Sequence, residues 1–137
     1  MSDSVMDTAA ILDHVGLAVA DHARSRAFYE RALAPLGIGV VMEVTAEETG
    51  GIPHTGFGRG FKPAFWISPG RSGGHAHIAF VAADRVAVAA FHAAALAAGG
   101  GDNGAPGLRP HYHPSYYSAF VLDPDGHNVE AVCHRPE

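Results

Sequence analysis

A displacement of 63 positions, from His14 to His77, lays the chain on itself without a gap. Val15 then falls on Ile78, Leu17 on Phe80 and Asp21 on Asp84. Further along, Ala27 meets Ala90, Phe28 meets Phe91, Ala32 meets Ala95, Leu33 meets Leu96 and Gly37 meets Gly100. What repeats is a whole structural programme: an alternating strand, an Asp placed to cap a helix, an apolar helical face and a glycine stop. The chain therefore reads as a duplicated unit, each copy running strand–helix–strand–strand–strand, with modules at about 11–69 and 75–134.

Within the first copy, residues 11–19 form a strand with Val15, Leu17 and Val19 on one face. A helix capped by Asp21 continues to about Leu36, and Ile38 to Val44 makes a second strand. Residues 45–51 read as a polar connection, residues 55–58 as a short third strand weakened by glycine, and residues 64–68 as a fourth. Residues 69–74 are a glycine-rich connector, and residues 1–10 a frayed terminus. In the second copy the strand expected within residues 101–109 is poorly marked, because glycine dominates it. Residues 116–132 read as two strands around Asp123-Pro124-Asp125-Gly126, where Pro124 presets φ and Gly126 accepts a positive one.

One helix cannot cover both faces of its module's sheet. An α+β architecture follows, with helices outside and the remaining sheet faces curved toward each other as a cup. By strand parity Val15, Leu17, Ile78, Phe80, Val129 and Ala131 lie under the helices, whereas His14, His77 and Glu130 share the inner face. Such groups need water, one another or an ion when withdrawn from solvent.

Composition narrows the functions. At 137 residues the chain is one domain's worth, and 47% hydrophobic with 17% charged residues describes a globular protein. A net charge of −5 argues against nucleic acid, which calls for a basic surface. No apolar run reaches the ~20 residues of a membrane span. The lone Cys133, read as an inert buried thiol, and the lack of a basic, apolar leader in residues 1–10 fit a cytoplasmic protein. Ten histidines in a chain of this length invite a metal or acid–base role.

DHVGLAV (13–19), RAFYERAL (26–33), HIAFVAAD (77–84) and LDPDGHNVEAV (122–132) together resemble the vicinal oxygen chelate superfamily. That family includes glyoxalases, extradiol dioxygenases and bleomycin-resistance proteins. The resemblance covers nearly the whole chain. It implies paired βαβββ modules forming a cup around a divalent ion, with ligands from the first and last strands of each module. Carried over, the metal ligands are His14, His77 and Glu130. The position matching Glu130 in the first module holds Trp66, where metal-dependent glyoxalases carry a carboxylate or amide. Two histidines and one carboxylate are the set that suits iron, manganese, zinc or nickel and leaves coordination positions open. The implied activity is metal-dependent chemistry on a small molecule with vicinal oxygens, a lyase or isomerase ahead of a ring-cleaving dioxygenase. The alternative is a metal-free cup that sequesters a drug or metabolite. A homodimer is also expected from the resemblance.

Around those ligands, His75 shares a face with His77 and is expected at the rim. The stretch RPHYHPSYY (109–117) offers His111, Tyr112, His113, Tyr116 and Tyr117 to close the cup, with His113 and Tyr117 as candidate acid–base groups beside Glu130. A plain surface loop covering the core edge accounts for the same stretch equally well. Trp66 is expected to pack against substrate or the facing module. His22, His92 and His134 read as solvated.

Overall fold

The computed structural model describes residues 10–71 and 74–137. The terminus expected to fray and part of the glycine-rich connector lie outside the described residues. The first module runs β1 (Val15–Val19), α1 (His22–Leu33), β2 (Gly39–Val44), α2 (Ala46–Thr49), β3 (His54–Gly58) and β4 (Phe65–Pro69). The second runs β5 (His77–Val81), α3 (Arg85–Ala97), β6 (Gly101–Leu108), β7 (Tyr117–Leu122) and β8 (Asn128–Cys133). Each builds a four-stranded mixed sheet of the same order, β1-β4-β3-β2 and β5-β8-β7-β6. The first and last strands of each module pair in parallel across the helical crossover, and the other neighbours are antiparallel.

The caps act as the sequence expects. Asp21 accepts from the Arg24 amide at 3.1 Å and Asp84 from the Ala87 amide at 2.8 Å, each occupying one of the orphan donors of a helix start. After α1 a short 3₁₀ turn over Ala34–Leu36 ends at Gly37, at φ 76°. The copy departs here: the positive φ after α3 belongs to Gly99, at 101°. Gly100 serves another need, since a Cβ there would lie 2.8 Å from Phe28 Cε1 and 2.9 Å from the Ala95 carbonyl oxygen. The repeated glycine thus marks close packing of the second module on the first helix.

Phe28, Tyr29, Ala32 and Leu33 of α1 are buried with Leu17, Val19, Phe57, Phe65 and Ile67 of the first sheet. Val88, Phe91 and Ala95 of α3 do the same over Ala119, Val121, Val129 and Ala131. The modules share this core: α1 packs on α3, and the Phe65 and Phe80 rings meet edge to face at 5.2 Å. Polar contacts cross as well. The Tyr29 hydroxyl donates to Asp123, the Ala20 amide donates to Asp125 Oδ1 at 3.1 Å, and Arg59 donates to the Val81 carbonyl at 2.6 Å.

Two sequence expectations need correction. β1 begins at Val15, not Ile11, and Val15 is itself exposed, because β1 is a sheet edge with no further strand to cover it. The connection over 45–51 contains α2, nucleated by a capping box in which Thr45 and Glu48 satisfy each other's backbone. The strand expected within residues 101–109 is present as the eight-residue β6, held by β7 through two register irregularities that absorb its glycines.

Candidate metal and substrate site

Glu130 sits in the middle of β8, between Ala79 of β5 and Phe120 of β7. Central placement leaves it 1% exposed, so its carboxylate needs partners inside the protein. It has two. His77 Nε2 lies 2.8 Å from Oε1, and the Tyr116 hydroxyl donates to Oε2 at 2.6 Å. Burial, reinforced by the Glu130 carboxylate, pushes the Tyr116 phenol up to about 12. His77 opens β5, an edge strand, and over half of its side chain remains exposed. A buried carboxylate and a solvent-facing imidazole on adjacent parallel strands therefore form one prearranged pair.

His14 immediately precedes β1, and its Nδ1 lies 2.7 Å from the Asp13 carboxylate at the surface. It lines, with His77, a cleft of about 320 Å³ between the edges of β1 and β5, whose apolar wall includes Phe65 and Phe80. The structure brings His77 and Glu130 together, and His14 to the same cleft, but these three donors do not gather within 4.8 Å. Among the described residues, the group that does is Asp123, Asp125 and His127.

That second metal-capable group forms the β7–β8 turn, and most of its lone pairs are engaged. Asp123 Oδ1 accepts from the amides of Asp125 and His127, both at 2.9 Å, and its other oxygen accepts from Tyr29. His127 Nδ1 accepts from the Ala76 amide at 2.9 Å, which puts the proton of a neutral ring on Nε2. Asp125 Oδ2 and His127 Nε2 remain as buried atoms without a partner among the described residues. Sequence reading treated this turn as chain reversal alone and missed its donors, although Asp-x-Asp-x-His was there to be seen.

The remaining candidates separate by strand parity. Tyr116 shares the Glu130 face, whereas Tyr117 pairs with Cys133 on the helix side, where the Arg85 guanidinium lies 5.1 Å from its ring centre. His113 is half-buried; its Nδ1 accepts from the Ser115 amide at 3.0 Å and its Nε2 lies 2.8 Å from His134 Nδ1. His134 is thus exposed but partnered. His111 and Tyr112 are exposed, their rings tilted by 40° at 4.2 Å, with the Tyr112 ring 4.7 Å from that of Tyr116. His75 is exposed beside the turn, 6.0 Å from the His127 ring and away from Glu130. Trp66 faces a hollow of about 520 Å³ shared with His14 and His54. His22 and His92 are not simply solvated: they bond Thr55 at 2.9 Å and Asp102 at 3.0 Å.

The family model described as the Glyoxalase/Bleomycin resistance protein/Dioxygenase superfamily matches residues 11–131. A glyoxalase/bleomycin resistance protein from Albidiferax ferrireducens superposes with a TM-score of 0.74 at 28% identity, covering 92% of this chain and 100% of its own. A glyoxalase/bleomycin resistance protein/dioxygenase family enzyme from Burkholderia phytofirmans superposes at 0.66 with 19% identity, covering 92% and 100%. Glyoxalase I from Zea mays gives 0.64 at 22% identity; it covers 92% of this chain, which spans 45% of the maize protein. The last two likenesses concern the fold. No curated protein matches the chain.

Proposed function

The chain belongs to the Glyoxalase/Bleomycin resistance protein/Dioxygenase superfamily, and from that premise we propose that it is a metal-dependent enzyme acting on a small molecule with vicinal oxygens. The observation that carries this reading is the 2.8 Å approach of His77 Nε2 to Glu130 Oε1. An imidazole nitrogen and a carboxylate on neighbouring strands are donors that suit iron, manganese, zinc or nickel. His77 and Glu130 would hold the ion and His14 would supply the third ligand, whether from the same chain or from the second copy of a homodimer. A bound divalent ion polarises a substrate oxygen and stabilises negative charge on it. The chain's own groups do the rest. The Tyr116 phenol, pushed up to about 12, keeps its proton at neutral pH and orients Glu130 through Oε2. His113, fixed by Ser115 and His134, stands 5.5 Å from the Tyr116 ring as a candidate proton carrier at the rim. Tyr117, on the helix side, has no such part in this scheme.

Two observations favour a metal-free binding cup instead. Glu130 already has both oxygens bonded, and Trp66 stands where a fourth donor would be. Elemental analysis of the purified protein separates the two. The enzyme reading expects about one divalent ion per site, lost in His77→Ala and Glu130→Gln variants that keep the wild-type circular dichroism spectrum. Protein that neither holds nor takes up a divalent ion supports the binding cup and ends the enzyme reading.

A further inference from the structure

Trp66 is the second residue of β4, an interior strand of its sheet, and both of its neighbours across the sheet are glycine. Gly16 of β1 pairs with it on one side and Gly56 of β3 on the other. Cross-strand neighbours on one face ordinarily carry side chains about 4.5–5.5 Å apart that cover one another. Here both are missing, and the two glycines are unlike. A Cβ on Gly56 would lie 2.9 Å from Pro63 Cβ and 3.0 Å from two carbons of the indole benzo ring. The indole therefore leans over Gly56, as Pro63 does. A Cβ on Gly16 would meet nothing within 4 Å. That side is bare backbone floor beside an aromatic ring, opening into the hollow of about 520 Å³, within the range of small-molecule sites.

The rim of this hollow sets its chemistry. His14, His54 and Ser68 supply its polar groups, Leu17 and Val44 its apolar ones, and among the described residues no carboxylate lines it. Imidazole and hydroxyl groups can donate to oxygen substituents, whereas a cation would find no counter-charge among the lining side chains. A flat floor beside an indole favours a flat ring, through stacked or edge-to-face contact.

We propose that the Gly16–Trp66–Gly56 strip is the specificity subsite of the cup, taking the planar aromatic ring of an oxygen-substituted substrate. The assignment rests on the reading of the cup as a small-molecule site and adds the class of ring it selects. Trp66 is a platform here, and Gly16 is the empty place a ring fills.

The test compares phenylglyoxylate with cyclohexylglyoxylate, which carry the same vicinal oxygens and differ in ring planarity. Trp66 is the sole tryptophan, so its emission reports the site directly. Phenylglyoxylate is expected to quench that emission saturably and to bind roughly tenfold tighter than the saturated analogue in calorimetry. Trp66→Leu should remove that preference. Gly16→Val should block phenylglyoxylate while leaving the melting temperature unchanged, because the added side chain enters open space. Equal affinity for the two acids, no binding of phenylglyoxylate, or wild-type binding in both variants overturns the subsite. Manganese titration of the same samples reports separately on His77 and Glu130, so loss of the subsite and loss of the metal reading are distinguishable.

Discussion

Tyr116 donates its hydroxyl to Glu130 Oε2 at 2.6 Å, closing off the oxygen that His77 does not reach. The tyrosine stands at the mouth of β7 and the glutamate in the middle of β8, so the bond ties the rim to the floor of the second sheet. Tyr116→Phe removes the donor and leaves a buried carboxylate oxygen bare. We expect a stability loss of about 1–3 kcal/mol, read as a lower urea midpoint with an unchanged slope. An unchanged midpoint would mean that water replaces the phenol.

The same bond has a pH signature. Burial first, and Glu130 second, raise the folded-state value of Tyr116 from the ordinary 10.0 to about 12. The neutral phenol is thus the favoured form in the folded state. Its contribution to stability is complete below pH 10 and is lost as pH rises toward 12. Carbon-13 NMR of labelled tyrosine should show Tyr116 ionising near the upper end of that window. In Glu130→Gln it should ionise earlier, because the neighbouring negative charge is gone. A Tyr116 that titrates at its ordinary value in the wild type would contradict the bond.

A second tyrosine holds the modules together. Tyr29 is fully buried on α1, donates to Asp123 at the β7–β8 turn, and has its phenol pushed far upward, chiefly by burial. Asp123 also accepts from two turn amides. Tyr29→Phe should cost about 1–3 kcal/mol. Asp123→Ala strands three neutral donors at once and should cost more, roughly 3 kcal/mol or above. Urea unfolding measures both. If the two changes cost the same, the turn amides have found other partners.

Much of this was legible in the chain before coordinates. The 63-residue echo implied two modules, and caps at Asp21 and Asp84 formed as read, because side-chain capping is a local interaction. Strand parity put Glu130 on the face that carries His77. Parity separates Tyr116 from Tyr117 only once β7 is laid on β8, where Tyr117 meets Cys133 on the face that Arg85 of α3 covers, and that register is a tertiary event. The turn at Asp123 looked self-contained because two of its partners, Tyr29 and Ala20, lie about a hundred positions upstream. β6 was obscure for a related reason, since its glycines are tolerated only by pairing with β7. His14 remained a matter of distance between edge strands, which no periodicity encodes.

The central claim is that His77 and Glu130 grip a divalent ion. Crystals grown with manganese and examined by anomalous diffraction test it most directly. The account predicts a peak within bonding distance of His77 Nε2 and a Glu130 oxygen. A crystal with no peak there, or with one only at the Asp123–Asp125–His127 turn, would contradict it.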